Sequence, residues 1–261
     1  MNKILKSIRK AIRFFRYDPS IIFNKLGISK FSHEEGLFSY FAKRYYKKSG
    51  LDDLFIKLGK LNDNEKYKLF ISGHKIWDIT NLHKTILNGE HKQIIEFGSG
   101  ISTIAMAHAL KLLSVKLNRS DLRLYAVEPD AKWAEIVSES IKKLNLNQFA
   151  EVITSEPKLT NYDNQVVSFF ETLPDISPDL IYLDGPDPRS VSGNINGLTM
   201  TGLNYIIQGD ILKYEWSFFA RAKIIIDGRD NNLKFLKKNL KRKYSFRKNY
   251  TRNVNTIELI S

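Results

Sequence analysis

The residues in this chain best suited to chemistry are acids set beside glycines. The densest such stretch is Glu96-Phe97-Gly98-Ser99-Gly100-Ile101-Ser102-Thr103. It follows a short apolar run at Gln93–Phe97 and opens a helical pattern over 102–113. Glycines at such a junction let the backbone turn sharply and approach a ligand closely. The first turn of the helix adds free N–H groups that suit a carboxylate or phosphate. A second acid, Glu128, ends the next predicted strand, 122–127, and is followed by Pro129 and Asp130. An acid in that position can accept hydrogen bonds from both ribose hydroxyls of a nucleoside.

Two ligands compete for such a loop. A nicotinamide dinucleotide site shows Gly-x-Gly-x-x-Gly, so that a pyrophosphate can lie against bare backbone. Here Thr103 holds the third position, and Glu96 stands two residues before the first glycine. A pyrophosphate gains nothing from a nearby carboxylate, whereas a ligand carrying an ammonium or sulfonium group does. The structural alternatives are that Glu96 braces its own glycine loop and that Glu128 serves the macrodipole of the next helix, a task Asp130 could also perform.

A third constellation, Asp184-Gly185-Pro186-Asp187-Pro188-Arg189, breaks the apolar run Leu180–Leu183. Asp-Gly-Pro alone is ordinary turn chemistry, but two acids and an arginine in six residues exceed what a turn needs. A fourth, Asp227-Gly228-Arg229-Asp230, ends the strand 223–227, with Asp230 a candidate helix N-cap. In open α/β sheets, ligands bind outside the carboxyl ends of the strands, which is where all four groups fall.

The elements that must position them alternate from residue 93 onward. Strands are expected at 93–97, 122–127, 151–154, 180–183 and 223–227, and helices at 102–113, 131–144, 207–219 and 231–240. Two last strands, 244–250 and 253–260, have no helix between them. This order implies an α/β fold, a doubly wound, mostly parallel sheet closed at one edge by an antiparallel pair. Residues 190–209, rich in Gly, Asn, Ser and Thr, are read as a long loop that orders over an acceptor. Residues 1–90 read as an N-terminal helical segment, a cap on the domain formed by 91–261. One of its helices carries Phe38, Phe41 and Tyr45 on a single face, and another spans about 75–87.

The Glu96–Gly100 stretch, the Glu128-Pro129 pair and the strand end at Asp184 resemble the first, second and fourth motifs of class I S-adenosylmethionine (SAM)-dependent methyltransferases. The resemblance covers about residues 93–261 and leaves 1–90 unmatched. It implies that Glu96, Gly98, Ser99 and Gly100 line the SAM site, that Glu128 and Pro129 hold its ribose, and that Ser155 and Glu156 lie near its adenine. It also implies a base at Asp184 or Asp187 that removes the proton of a hydroxyl acceptor, with Arg189 orienting an anionic acceptor. In the catechol-type members of the family, two strand-end acids and an Asn hold Mg²⁺. Asp184 and Asp227 match the acids, but Gly228 replaces the Asn, so no metal is expected.

Composition bounds the partners. Hydrophobic residues make up 43% of the chain, enough for a sizeable core, and no apolar run is long enough to span a bilayer. The N-terminus lacks the uninterrupted apolar stretch of a secretory signal. There is no cysteine, which excludes disulfides and thiolate metal sites and fits a cytoplasmic location. The net charge of +13 is concentrated at the ends: 12 basic against 3 acidic residues in 1–50 and again in 221–261, but 17 against 22 between them. Residues 3–16 set Ile4, Leu5, Ile8, Ala11, Ile12 and Phe15 opposite six basic side chains. The pattern fits a helix on an anionic membrane, at its inner face, or one docked on its own domain with a basic outer face. The five histidines form no metal spacing and are read as surface or helix-face residues; His74 and Trp77 fall where a cap could reach a bound sulfonium. The expected activity is methylation of a small-molecule or glycan hydroxyl. The alternatives are a nucleic-acid methyltransferase using the basic termini, ranked lower because Asp187 is a poor platform for a flipped base, and a non-catalytic membrane-associated protein with a relict fold.

Overall fold

The computed structural model describes residues 37–60, 76–201, 203–249 and 254–260. The amphipathic pattern at 3–16 and His74 lie outside them. Helices α1 (Leu37–Ser49), α2 (Leu51–Lys60) and α3 (Ile76–Gly89) precede the alternating part of the chain. That part runs β1 (Gln93–Phe97), α4 (Ile101–Leu117), β2 (Arg123–Glu128), α5 (Ala131–Lys143) and β3 (Ala150–Thr154). A hairpin of β4 (Pro157–Tyr162) and β5 (Gln165–Phe170) follows, then β6 (Leu180–Leu183), β7 (Ile207–Gln208) and α6 (Ile211–Tyr214). The chain continues with β8 (Lys223–Asp227), α7 (Asp230–Asn239), β9 (Tyr244–Asn249) and β10 (Val254–Leu259).

The main sheet has seven strands in the order β3-β2-β1-β6-β8-β10-β9. Strands β1, β2, β3, β6 and β8 are mutually parallel, while β10 runs antiparallel to both β8 and β9. The chain winds outward from β1 in one direction and then, from β6, in the other. The order therefore reverses between β1 and β6, the switch point at whose strand carboxyl ends ligands bind in open α/β sheets. The expected doubly wound sheet with an antiparallel edge is thus present, β10 being inserted between β8 and the edge strand β9.

Side chains of a strand alternate between faces, and here both faces are buried. Ile94, Leu180, Tyr182 and Ile225 join the core beneath α1 to α5, while Ile95, Phe97, Ile181, Leu183, Ile224 and Ile226 join the core on the other side. On the first side α3 packs along α4, whose Ile104, Met106, Leu110 and Leu113 are fully buried. A polar chain crosses this layer. The Tyr45 hydroxyl meets His83 Nδ1 at 2.7 Å, and His83 Nε2 meets His108 Nδ1 at 3.1 Å. Burial drives both imidazoles down, His83 to about 3 and His108 to about 4, so both are neutral near pH 7. His83 is a buried helix residue that joins three helices through Tyr45 and His108.

The second side departs from the sequence expectation. A three-stranded sheet, β4-β5-β7, covers it together with α6 and α7. The β4–β5 turn is Asp163-Asn164, both at positive φ (48° and 59°), the conformation of a two-residue type I′ hairpin. The helix expected over 207–219 is instead β7, the single turn α6 and a 3₁₀ turn at Glu215–Ser217. The 190–209 segment is anchored on the small sheet, where Val191, Met200 and Ile206 cluster with Leu159. Phe170 of β5 stacks on Phe97 of β1, centroids 5.9 Å apart, and so joins the small sheet to the strand that carries the glycine loop. Phe170→Ala should lower stability by about 3–5 kcal/mol in chemical denaturation, the cost of emptying a buried aromatic site.

Candidate active site

The loop Gly98-Ser99-Gly100 leaves β1 at the point where the sheet order reverses. Gly98 has φ 103°, a left-handed conformation that favours glycine. A Cβ on Gly185, at the end of β6, would lie 3.0 Å from both the Gly98 nitrogen and the Phe97 oxygen. The two strand tips therefore touch backbone to backbone, and glycine is required for that approach. A Cβ on Gly100, by contrast, would meet nothing within 4 Å. Open space lies over the loop at the mouth of α4.

Glu96 lies beneath the loop and is 1% exposed. Its carboxylate accepts hydrogen bonds from the hydroxyls of Ser102 and Thr103, the latter at 2.6 Å, and Thr103 Oγ1 in turn accepts from the Gly100 amide at 2.8 Å. The side chain thus braces the loop and the first turn of α4. Burial pushes its pKa up to about 8, against the two hydroxyls that favour the anion, with Asp184 and Glu128 adding repulsion.

Glu128 ends β2 beside the loop. It accepts from Ser99 Oγ at 2.9 Å and from the Asp130 amide at 3.1 Å, and burial raises its pKa. The cap of α5 is Asp130, which accepts from the amides of Lys132 and Trp133 at 2.9 and 3.0 Å. Glu128 is therefore not needed as a cap. Trp133, absent from the sequence-derived site, holds the loop from the far side by donating from Nε1 to the Ser99 carbonyl at 2.9 Å. Its signal in the sequence is slight: an aromatic one turn into the helix that follows the acid.

The third and fourth constellations part company. Asp184 is exposed at the tip of β6, and its carbonyl accepts from Arg229 Nη2 at 2.6 Å. Arg229 also reaches the Pro186 carbonyl at 3.4 Å and so ties the β8 end to the β6 end. Asp187 caps a 3₁₀ turn at Pro188–Ser190 and accepts from Arg189 Nε at 3.0 Å and Nη2 at 2.6 Å. That pairing holds its carboxyl below the usual carboxylate range. Asp230 does not cap α7: it begins the helix, and its carboxylate accepts from Lys248 Nζ at 2.5 Å. Beyond β3, Ser155 is buried, with Oγ accepting from the Thr172 amide at 2.9 Å, whereas Glu156 is exposed and paired with Lys158 at 2.7 Å. Pro129 is half-buried behind Glu128.

Acidic charge collects at this end of the sheet. The buried Tyr182 of β6 has its phenol pushed upward, first by burial and then by Asp184, Asp227, Glu96 and Asp78. Asp78 lies in the first turn of α3 next to the half-buried Trp77, so the N-terminal helices contribute an acid that the sequence did not mark. Asp184 and Asp227 are the two acids that the resemblance compares with Mg²⁺ ligands. Gly228 supplies no side-chain oxygen, a guanidinium sits against the Asp184 main chain, and no group of three or more His, Asp or Glu gathers among the described residues.

A doubly wound, Rossmann-like α/β fold with a glycine loop at its switch point is thus established. No protein-family model matches the chain, and no curated protein does. Solved structures of similar arrangement include the O-methyltransferase from Bacillus cereus in complex with S-adenosylhomocysteine (SAH), at 15% identity, 82% of this chain, 91% of that chain and TM-score 0.45. The SAH-bound Podospora anserina methyltransferase PaMTH1 is similar at 12% identity, covering 84% of this chain and 88% of that one, with TM-score 0.47. The O-methyltransferase TomG from Streptomyces achromogenes, in complex with SAM, is similar at 13% identity, 94% and 97% coverage, and TM-score 0.43.

The Glu96 carboxyl has a folded pKa above its ordinary value, so its contribution to stability is greatest at low pH. That contribution is lost as pH rises through about 8. The melting temperature should fall between pH 6 and pH 9. In Glu96→Gln the fall should be at least halved, as thermal unfolding followed by circular dichroism would show.

Proposed function

We propose that the protein is a SAM-dependent methyltransferase acting on the hydroxyl of a small-molecule or glycan acceptor. The observation that carries this reading is one of charge. A chain of net charge +13 sets Glu128 and Asp184 within electrostatic reach of Glu96, and Asp78, Asp184 and Asp227 within reach of Tyr182, at the sheet end where Gly100 faces open space. Such a site suits a cationic nucleoside and opposes a diphosphate.

SAM, when bound, supplies a methyl group on a sulfonium leaving group. The residues of this chain do the rest. The bare backbone of Gly98 and Gly100 admits the ligand to the helix mouth. A carboxylate has about four acceptor positions, and Glu128 uses part of that capacity on Ser99 and Asp130 and offers the remainder to the ribose. Glu96 acts from beneath, holding the loop through Ser102 and Thr103. Ser155, with Pro129 and Glu156 beside it, flanks the adenine side. Asp184, at the exposed tip of β6, takes the proton of the acceptor hydroxyl as its oxygen attacks the methyl carbon. Asp184 is preferred to Asp187 as the base because it stands at the strand tip, and Arg189, exposed beside Asp187, orients an anionic acceptor. The absence of cysteine supports a cytoplasmic location, and the basic 3–16 segment supports contact with an anionic membrane face. Among the described residues no helix is long and apolar enough to cross a membrane.

Calorimetric titration should show binding of SAH and none of NAD; the reverse result would overturn the assignment. Glu128→Ala should weaken SAH binding by about 10- to 100-fold, the worth of one or two charge-assisted hydrogen bonds. Asp184→Asn should slow methyl transfer by about 10²- to 10⁴-fold while leaving SAH affinity within a few-fold. Loss of SAH binding in that variant would place Asp184 in the cofactor site instead.

A further inference from the structure

Away from the strand tips, a groove of about 590 Å³ runs between α2, the second half of α4 and the end of α5. Its floor is apolar, with Leu54, Leu144 and Leu146. Lys57, Lys60, Lys111 and Lys143 surround that floor, and Asp53 is the acid among the lining residues. His108, neutral at physiological pH, adds no charge. Two of the lining apolar side chains stand outward, Val115 at 79% exposure and Leu112 at 38%, and on α2 Ile56 is 51% exposed. A buried core needs none of them in that position, and lysines alone would make only a solvated face. Apolar groups raised among cations form the pattern that inserts at the headgroup level of an anionic bilayer, each nearby lysine adding to the attraction.

We propose that this face, formed by α2, the second half of α4 and the end of α5, docks the protein on an anionic phospholipid bilayer. Val115, Leu112 and Ile56 enter the headgroup layer, and the four lysines meet phosphates around them. The face is independent of the chemistry assigned to the strand tips. Gly100 opens α4, and at about 1.5 Å per residue Lys111 to Val115 lie roughly 15–20 Å further along its axis. Docking there leaves the site mouth uncovered. A partner bearing an acidic peptide would find the same charges but gain little from exposed valine and isoleucine.

The chain has no cysteine, so Val115→Cys provides a single thiol for an environment-sensitive fluorophore. The full chain, so labelled, is mixed with vesicles of phosphatidylcholine alone or of equal parts phosphatidylglycerol and phosphatidylcholine. The acidic vesicles should shift the emission of the label to the blue and expose it to quenching by lipids brominated near the headgroup. Neutral vesicles should do neither, and a label at Asn161→Cys, on β4 across the sheet, should respond to neither. Replacing Lys57, Lys60, Lys111 and Lys143 by Gln should weaken partitioning at least about tenfold, with SAH binding unchanged. Binding to acidic vesicles without a response at position 115 would show that another segment makes the contact and would overturn the proposal. Absence of binding would do the same.

Discussion

The structure depends on how a carboxylate can be kept out of water at the end of a parallel sheet. Glu96 is buried under the glycine loop, where an isolated anion would be costly. Two hydroxyls from the first turn of α4 meet its two oxygens, and one of them, on Thr103, receives the Gly100 amide as well. Loop, helix start and strand tip are thereby fixed as one unit. Everything assigned to the site, from the open space over Gly100 to the placement of Ser99 against Glu128, relies on that unit holding its shape.

Around it the fold separates rigid support from chemistry. The central strands of the main sheet are buried on both faces, so their tips are placed by two cores at once. On one side the support is helical. On the other, a small sheet takes the place of longer helices, and the Phe97–Phe170 stack connects it directly to the strand carrying the loop. The 190–209 segment is seated on that sheet through Val191, Met200 and Ile206. Trp133 and Arg229 hold the two sides of the site by bonding to main-chain carbonyls, which fixes the loops without consuming the carboxylates.

Charge is segregated in the same way. Asp78, Glu96, Asp184 and Asp227 gather around Tyr182 at one end of the sheet, while lysines line a groove on the helical side and crowd the termini. A cationic ligand is favoured at the first and an anionic surface at the second. The two sites differ in kind and lie apart along the same helix.

Much of this was legible from local signals. The alternation of strand and helix from residue 93, the glycine loop between Glu96 and Ser102, the acid at the end of β2 and the Asp130 cap are each written within a few residues. Period-2 and period-3.6 patterns, together with turn chemistry, act at that range. The β4–β5 hairpin left only a short local signal, Asp163-Asn164 between two runs of six residues. Tertiary structure alone decided that β10 enters between β8 and β9, that Arg229 reaches the Asp184 carbonyl, and that Asp230 answers Lys248 instead of capping its helix. It also brought Asp78, Trp133 and Arg229 to the site and buried His83 between Tyr45 and His108. Each of these joins residues that are close in space through side-chain reach, strand register or helix packing. Such relations are set by which surfaces bury each other, a property of the whole chain that no short window contains.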